Sequence, residues 1–352
     1  MHCLRLFLHA WQIKMKLSAL YALTKQFLKL SPTVPQVLNT MKYSMRFFSN
    51  SFSPAVSHDP LSIGVYITYH CNLECPFCWN QTINKKEFLS QQMNIEEFSS
   101  MLQHPRLKNA FRLSFVGGEP LIHPDIFQFI EIAHSNKKLT MFPSNGLLIE
   151  KRLDEFKNSH LSSLQVSLYD GNISDQIRNV ELLRSVNLDI DIALARYVTT
   201  EQNSLDYMTE VIKMSEQLNL KQVCFQNFIA TSKENENLCI FDDNIEILEY
   251  FKDLDRKYGK RLNIMFPAPL KRNIKERFCY DLYTVVFVGK NGILAPCSSI
   301  VPPDRKFGNL SDDQFWNKKY FLSHRKYFTD KFPFNPTCEY CYESSSHERT
   351  FI

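Results

Sequence analysis

Through the middle of the chain, short apolar runs alternate with longer stretches whose apolar residues recur every three or four positions. Strands are expected over 61–68, 110–115, 139–143, 164–168, 188–195 and 222–228. Between them fall helix signals. Asn94 with Glu97 three positions on is a capping pair. Pro124 opens a stretch with Ile126, Phe129, Ile130 and Ala133 on one face. Residues 173–186 and 203–219 also read as helices. Six strand–helix repeats of this kind predict a parallel α/β sheet with crossover helices. In such folds ligands sit beyond the C-terminal ends of the strands, so chemistry is sought just after each one. Past residue 231 the repeat is expected to stop. A helix at 243–258 follows, then a hairpin of 284–288 and 293–294 around Lys290, Asn291 and Gly292.

Composition narrows the class. With 352 residues, 44% hydrophobic and 22% charged, the chain is globular rather than disordered or collagen-like. The net charge is +4, but residues 1–58 hold seven basic side chains (Arg5, Lys14, Lys16, Lys25, Lys29, Lys42, Arg46) and no acidic one. The body, 59–352, has 34 basic against 37 acidic residues, which disfavours a large nucleic-acid footprint. In the N-terminal extension 1–58, residues 3–30 alternate apolar blocks with single basic side chains, and their longest charge-free runs, 6–13 and 17–24, are too short to span a bilayer. A secretory signal is disfavoured as well, and Met15 offers a second start. Residues 35–48 read as a short amphipathic helix. Three readings of the extension stand side by side: helices docked on the body, a basic surface resting on anionic lipid through residues 1–48, or a presequence.

Cysteine spacing carries the chemistry. Cys71, Cys75 and Cys78 follow the first strand as Cys-x3-Cys-x2-Cys. Three thiolates on one loop suit three corners of an iron–sulfur cubane, leaving one iron open. Zinc with His70 as fourth ligand is the alternative. Cys279, Cys297, Cys338 and Cys341 form a second set. The hairpin is expected to fold Cys297 back toward Cys279, and Cys338-x2-Cys341 is a knuckle. Four thiolates make a closed site for either a [4Fe–4S] cluster or zinc. Such usage fits a reducing, cytoplasmic compartment.

Several motifs in this order resemble the radical S-adenosylmethionine (radical SAM) enzymes across about residues 60–230. They are the Cys71/Cys75/Cys78 loop with aromatic Phe77 and Trp79, then Gly117-Gly118-Glu119-Pro120, Ser144-Asn145-Gly146, and Ser167 ahead of Leu168, Tyr169 and Asp170. Tyr169 is inserted relative to the family's pattern. The resemblance implies a partial (β/α)6 TIM-like barrel over 59–231. It implies a [4Fe–4S] cluster on Cys71, Cys75 and Cys78 that cleaves SAM to a radical able to take a hydrogen atom from a substrate. Gly117 and Gly118 would let the ligand approach the backbone, and Glu119 would accept from its ammonium. Ser144 and Asn145 would help bind the cofactor, and Ser167 would reach ribose or carboxylate. Phe77 and Trp79 would border adenine. Arg196 would either pair with the SAM carboxylate or form an ordinary salt bridge. Gln226 and Asn227 would face the ligand or cap a strand.

After a helical linker, 232–275, the second cysteine set resembles the twitch domain, a shortened SPASM auxiliary-cluster domain, over 276–352. That implies a second [4Fe–4S] cluster on Cys279, Cys297, Cys338 and Cys341, with 307–310 and 315–317 linking its halves. Cys224, on the sixth strand, or Cys239 is a candidate hydrogen donor of the kind used by epimerases in this class. The expected substrate is a small metabolite of sugar or aminocyclitol type, with a peptide or a membrane lipid as alternatives. The expected electron donor is a flavodoxin or ferredoxin. A zinc-binding interaction protein is the reading from another class.

Overall fold

The structure, a computed structural model, describes residues 27, 30–49, 51–75, 78, 91–230, 233–272, 278–298 and 303–329. Expectations for Phe77, Trp79, Cys338, Cys341 and most of 1–29 lie outside the described residues.

The strands are β1 (Ser62–Thr68), β2 (Arg112–Gly117), β3 (Leu139–Ser144), β4 (Ser163–Ser167), β5 (Asp191–Val198), β6 (Gln222–Asn227), β7 (Asn263–Met265), β8 (Val285–Val288) and β9 (Leu294–Ala295). The helices are α1 (Val34–Phe48), α2 (Ile95–Gln103), α3 (Ile126–Ser135), α4 (Leu153–Lys157), α5 (Ile173–Val186), α6 (Gln202–Gln217), α7 (Ile245–Tyr258), α8 (Asp281–Thr284) and α9 (Lys319–Thr329). Among the described residues all nine strands belong to one open sheet in the order β7-β6-β5-β4-β3-β2-β1-β8-β9. Every pairing is parallel except β8 with β9. The expected parallel α/β sheet, a partial TIM-like barrel, is therefore present.

Three features differ from the expectations. First, β5 lies about three residues later than the apolar run suggests. Leu188 sits in the preceding turn and is 70% exposed, so the pattern that matters begins at Ile190. Arg196 is consequently inside β5 rather than after it. Second, the strand–helix alternation does not stop at 231, because α7 leads into β7, parallel to β6. At three residues, Asn263–Met265 is too short to show a strand period. Third, the hairpin joins the main sheet, with Ser62 opposite Val285 and Gly64 opposite Phe287. A Cβ on Gly64 would lie 2.3 Å from the Phe287 ring, so only glycine admits this close packing.

The two faces of the sheet differ. Leu113, Phe115, Phe142, Leu164, Val166, Leu194 and Val198 point outward under the helices and are fully or nearly fully buried. Phe115 meets Phe98 of α2 and Phe129 of α3. The inner face carries Ser114, Val116, Met141, Pro143, Ser163, Gln165 and Ser167, all partly exposed. Helix ends follow local chemistry. The Asn94–Glu97 box opens α2 as expected, and a Thr33–Gln36 box opens α1.

The N-terminal ends of β1 and β8 are covered by the segment before β1 and by α9. Arg325, fully buried, donates to the carbonyls of Leu282 (2.8 Å), Trp316 (2.8 Å) and Pro54 (3.1 Å). Trp316 Nε1 donates to His58 O, and His58 Nε2 lies 2.8 Å from Tyr283 O. Burial holds the His58 imidazole down at about 4, against an ordinary 6.5, and its Nδ1 has no partner. Among the described residues no helix is long and apolar enough to cross a membrane.

Between those two pKa values the unfolded chain binds a proton at His58 that the folded chain refuses. Stability is therefore expected to fall as pH drops from 6.5 toward 4, by about 3 kcal/mol from this group. Urea unfolding across that range checks it, and His58→Gln, which keeps a donor for Tyr283 O, should flatten the dependence.

Candidate functional site

The C-terminal ends of β1 to β4 meet around one buried carboxylate. β2 ends at Gly117, whose φ is +130° and whose Cβ would fall 1.9 Å from Thr68 O. A Cβ on Gly118 would fall 2.0 Å from His70 O. Both glycines are thus required by the approach of another backbone segment, the one that leads into the cysteine loop. Gly118 N donates to Thr68 O at 2.8 Å and Glu119 N to His70 O at 2.7 Å. Close backbone packing is thus a second reason for the two glycines, beside the expected approach of a ligand.

Glu119 is 2% exposed. Its carboxylate accepts from Ser144 Oγ (2.9 Å), Asn145 N (2.8 Å) and Leu121 N (3.1 Å). Burial pushes its pKa up, and these three donors pull it back. Asn145 Nδ2 in turn donates to Asn72 Oδ1 at 2.8 Å, inside the cysteine loop. The Gly-Gly-Glu and Ser-Asn motifs, read separately in the sequence, are therefore one network that also holds the loop.

Cys71 is exposed, and Cys75 and Cys78 are partly so. The loop turns through Cys78 N donating to Cys75 O at 3.1 Å. Burial pushes the Cys71 and Cys75 thiols up, and neighbouring negative charge adds to it: Glu119, Cys78 and Cys75 at Cys71, and Cys78 at Cys75. A cationic group among them would relieve this repulsion, so the donor set fits an iron–sulfur cluster. Among the described residues no three His, Cys, Asp or Glu side chains converge closely enough to grip a single metal ion.

Two participants carried no functional signal in the sequence. The Tyr169 side chain lies beside both Cys75 and Ser167, so the inserted tyrosine brings the end of β4 up to the cysteine loop. Gln176, fully buried, donates to Asn145 O and Ser167 O, each at 2.8 Å, and accepts from Tyr169 N. Its only sequence signal is a polar residue on the buried face of α5, in step with Val180 and Leu183.

Residues 65–203 match the family model of the Radical SAM superfamily. This stretch is a radical SAM domain. Among solved structures, the chain is similar to Streptococcus suis SuiB bound to S-adenosylmethionine, at 17% identity over 82% of this chain and 72% of that one, with a TM-score of 0.60. It is also similar to SuiB bound to precursor peptide SuiA, at 16% identity over 81% and 69%, with a TM-score of 0.58. At such identity the likeness concerns the fold.

Other expected site residues lie around the radical SAM domain's rim. Arg196 Nη2 pairs with Asp170 Oδ1 at 2.8 Å, and its guanidinium lies 4.3 Å from the centre of the Tyr207 ring on the helix side. Asn227 caps its strand through Ile240 and Ala268 O, while Gln226 is partly exposed. Cys224 is buried opposite Ala195 on the inner face. Cys239 is buried elsewhere and accepts from Ala230 N. Cys297 packs against Tyr66, Tyr69, Phe287 and Phe307, and Cys279 against the main core. Residues 307–310 and 315–317 pack onto the domain, Leu310 N donating to Gly292 O and Asn317 clasping Val56.

Glu119→Gln is expected to destabilise the chain by about 2 kcal/mol, because the amide must turn its NH2 toward one of three donors. Urea unfolding of the apo protein measures this without any cofactor; an unchanged midpoint would reject the structural role.

Proposed function

We propose that the chain is a radical SAM enzyme with an auxiliary cluster. The observation that carries the reading is the single network that joins Glu119, Ser144 and Asn145 to Asn72 in the loop of Cys71, Cys75 and Cys78, within the stretch that matches the radical SAM family. Cys71, Cys75 and Cys78 would hold a [4Fe–4S] cluster, which would supply the one-electron reduction of SAM needed for hydrogen-atom abstraction from a substrate.

The protein's own groups bind, orient and exclude water. Asn145, through Asn72, and Tyr169, beside Cys75, hold the loop from two sides. In this reading Phe77 and Trp79 border adenine, and Ser167 reaches ribose or carboxylate. Arg196 contributes to the SAM site when it exchanges Asp170 for the ligand's carboxylate. Cys279, Cys297, Cys338 and Cys341 hold the second cluster of a twitch domain over 276–352. Cys224 is the proposed hydrogen donor, supported by its place on the inner face of β6. A flavodoxin or ferredoxin supplies electrons. The substrate is a small metabolite of sugar or aminocyclitol type. A peptide is the second class, in keeping with the fold shared with SuiB, one structure of which holds a precursor peptide.

Anaerobic reconstitution with iron and sulfide should give about eight irons per chain, and dithionite with SAM should yield 5′-deoxyadenosine. Cys71→Ala should reduce that product at least about a hundredfold, roughly 3 kcal/mol of barrier. Zinc without sulfide, or full activity in Cys71→Ala, would instead favour a metal-binding interaction protein.

The reading includes contact with an anionic membrane surface, supported by the inversion of α1. This helix docks through polar side chains. Gln36 donates to Ala110 and Lys137 O, Asn39 to Asp59 O, and Tyr43 is buried. Phe47 packs inward against Tyr43 and Tyr280, but five apolar residues face outward: Val34, Leu38, Met41, Met45 and Phe48 are 52–71% exposed. Lys42 and Arg46 flank that stripe, and no acidic residue occurs in 1–58. The full chain should float with phosphatidylglycerol-containing vesicles and much less with pure phosphatidylcholine. Leu38→Asp with Met45→Asp should abolish flotation. A dimer dissolved by the same pair would show that a second copy covers the stripe instead.

A further inference from the structure

Arg112 opens β2 and faces inward, because Leu113 and Phe115 of the same strand lie under the helices. It is 9% exposed. Its guanidinium makes one recorded contact, Nη2 to Met141 Sδ at 3.2 Å. A thioether is a weak acceptor, and no carboxylate among the described residues pairs with this cation. The other buried cations are held by backbone carbonyls, although Arg325 Nη2 has no partner of its own. Lys138 Nζ donates to the carbonyls of Leu107, Lys108 and Ala110, and Arg325 to those of Leu282, Trp316 and Pro54. A desolvated charge without a counter-charge weakens a fold, and such groups concentrate where a ligand supplies the missing partner.

The direction of the side chain adds a second observation. Met141 is level with Ser114 in the sheet register, one inward-facing layer above Arg112. The guanidinium therefore rises along the inner face toward the end that carries the cysteine loop. Its surroundings there are small or neutral: Ser114, Ser163 and Gln165 are all partly exposed. Asp191, at the start of β5, is held by Lys221 at 3.6 Å. Burial lowers the Arg112 pKa only to about 10, so it remains charged near neutrality.

We propose that Arg112 binds an oxyanion, carboxylate or phosphate, on the molecule that enters the inner face of the sheet. That this molecule is the substrate rests on the radical SAM reading; the anion site itself does not. A planar guanidinium takes either group through two parallel hydrogen bonds. The anion would fix the substrate's lower end, leaving its upper end to face the loop of Cys71, Cys75 and Cys78.

Phenylglyoxal labelling of arginines on the reconstituted full chain, mapped by peptide mass spectrometry, tests this directly. Labelling is run in chloride, in inorganic phosphate and in succinate at equal ionic strength. Arg112 should react in chloride and be protected about fivefold by at least one oxyanion, the factor expected at roughly four times its Kd. Exposed Arg178 and Arg256 should change little. Protection by phosphate alone assigns a phosphorylated ligand, and by succinate alone a carboxylate. Equal labelling in all three salts, or none in chloride, would overturn the site. Formation of 5′-deoxyadenosine, measured separately, decides the radical SAM reading whatever the labelling shows.

Discussion

The buried carboxylate of Glu119 is the constraint on which the site depends. Its side chain gathers donors from the end of β3 and from the turn after β2, while its own amide reaches back to the segment after β1. Strand ends that would otherwise fray are thereby fixed to one atom pair. A carboxyl group so buried is tolerated because both of its oxygens are hydrogen-bonded. The Cys71 loop inherits its position from this arrangement, through His70 O on one side and Asn145 on the other. Ligand binding and loop geometry are therefore hard to separate at Glu119: any molecule that draws on this carboxylate also acts on the support of the loop.

The division between the faces of the sheet extends the same logic. The helix side is packed with large apolar residues and has little to offer a polar molecule. Small and amide side chains on the inner face of β2, β3 and β4 leave it partly open to solvent. On the β1 side that opening is bounded by an aromatic wall of Tyr66, Tyr69, Phe287 and Phe307. A molecule inside would meet rings on one side and hydrogen-bonding groups on the other, a combination suited to fixing orientation.

Much of this was legible in the residues. Helix 173–186 and the Asn94 cap were read from periodicity and capping chemistry, since both are local. The order of the cysteine, Gly-Gly-Glu and Ser-Asn motifs located the site, because each follows a strand whose apolar run is plain. What stayed hidden depended on partners distant in sequence. Nothing local marks Gln176 as a clamp between two loops, or Tyr169 as a partner of Cys75. The exposed stripe of α1 was hidden for a related reason. Amphipathic spacing reveals two faces but not which is inward, and here Gln36 and Asn39 find backbone partners on the body.

The placement of β8 bears on how the C-terminal cysteines relate to the rest. Because β8 pairs with β1, the segment that carries Cys279 and Cys297 is built into the sheet that holds the first cysteine loop. Phe287 packs on Gly64 and on Tyr66, and Cys297 lies against that same cluster. β1 is thus flanked by β2, which leads to Glu119, and by β8, which leads through β9 to Cys297. A single strand, β1, therefore separates the route to Glu119 from the route to Cys297. Arg325 strengthens the link between β1 and β8, since the carbonyl of Leu282 just before β8 and that of Pro54 just before β1 are held by one guanidinium. Loosening either end of this segment would shift the wall of the inner face itself.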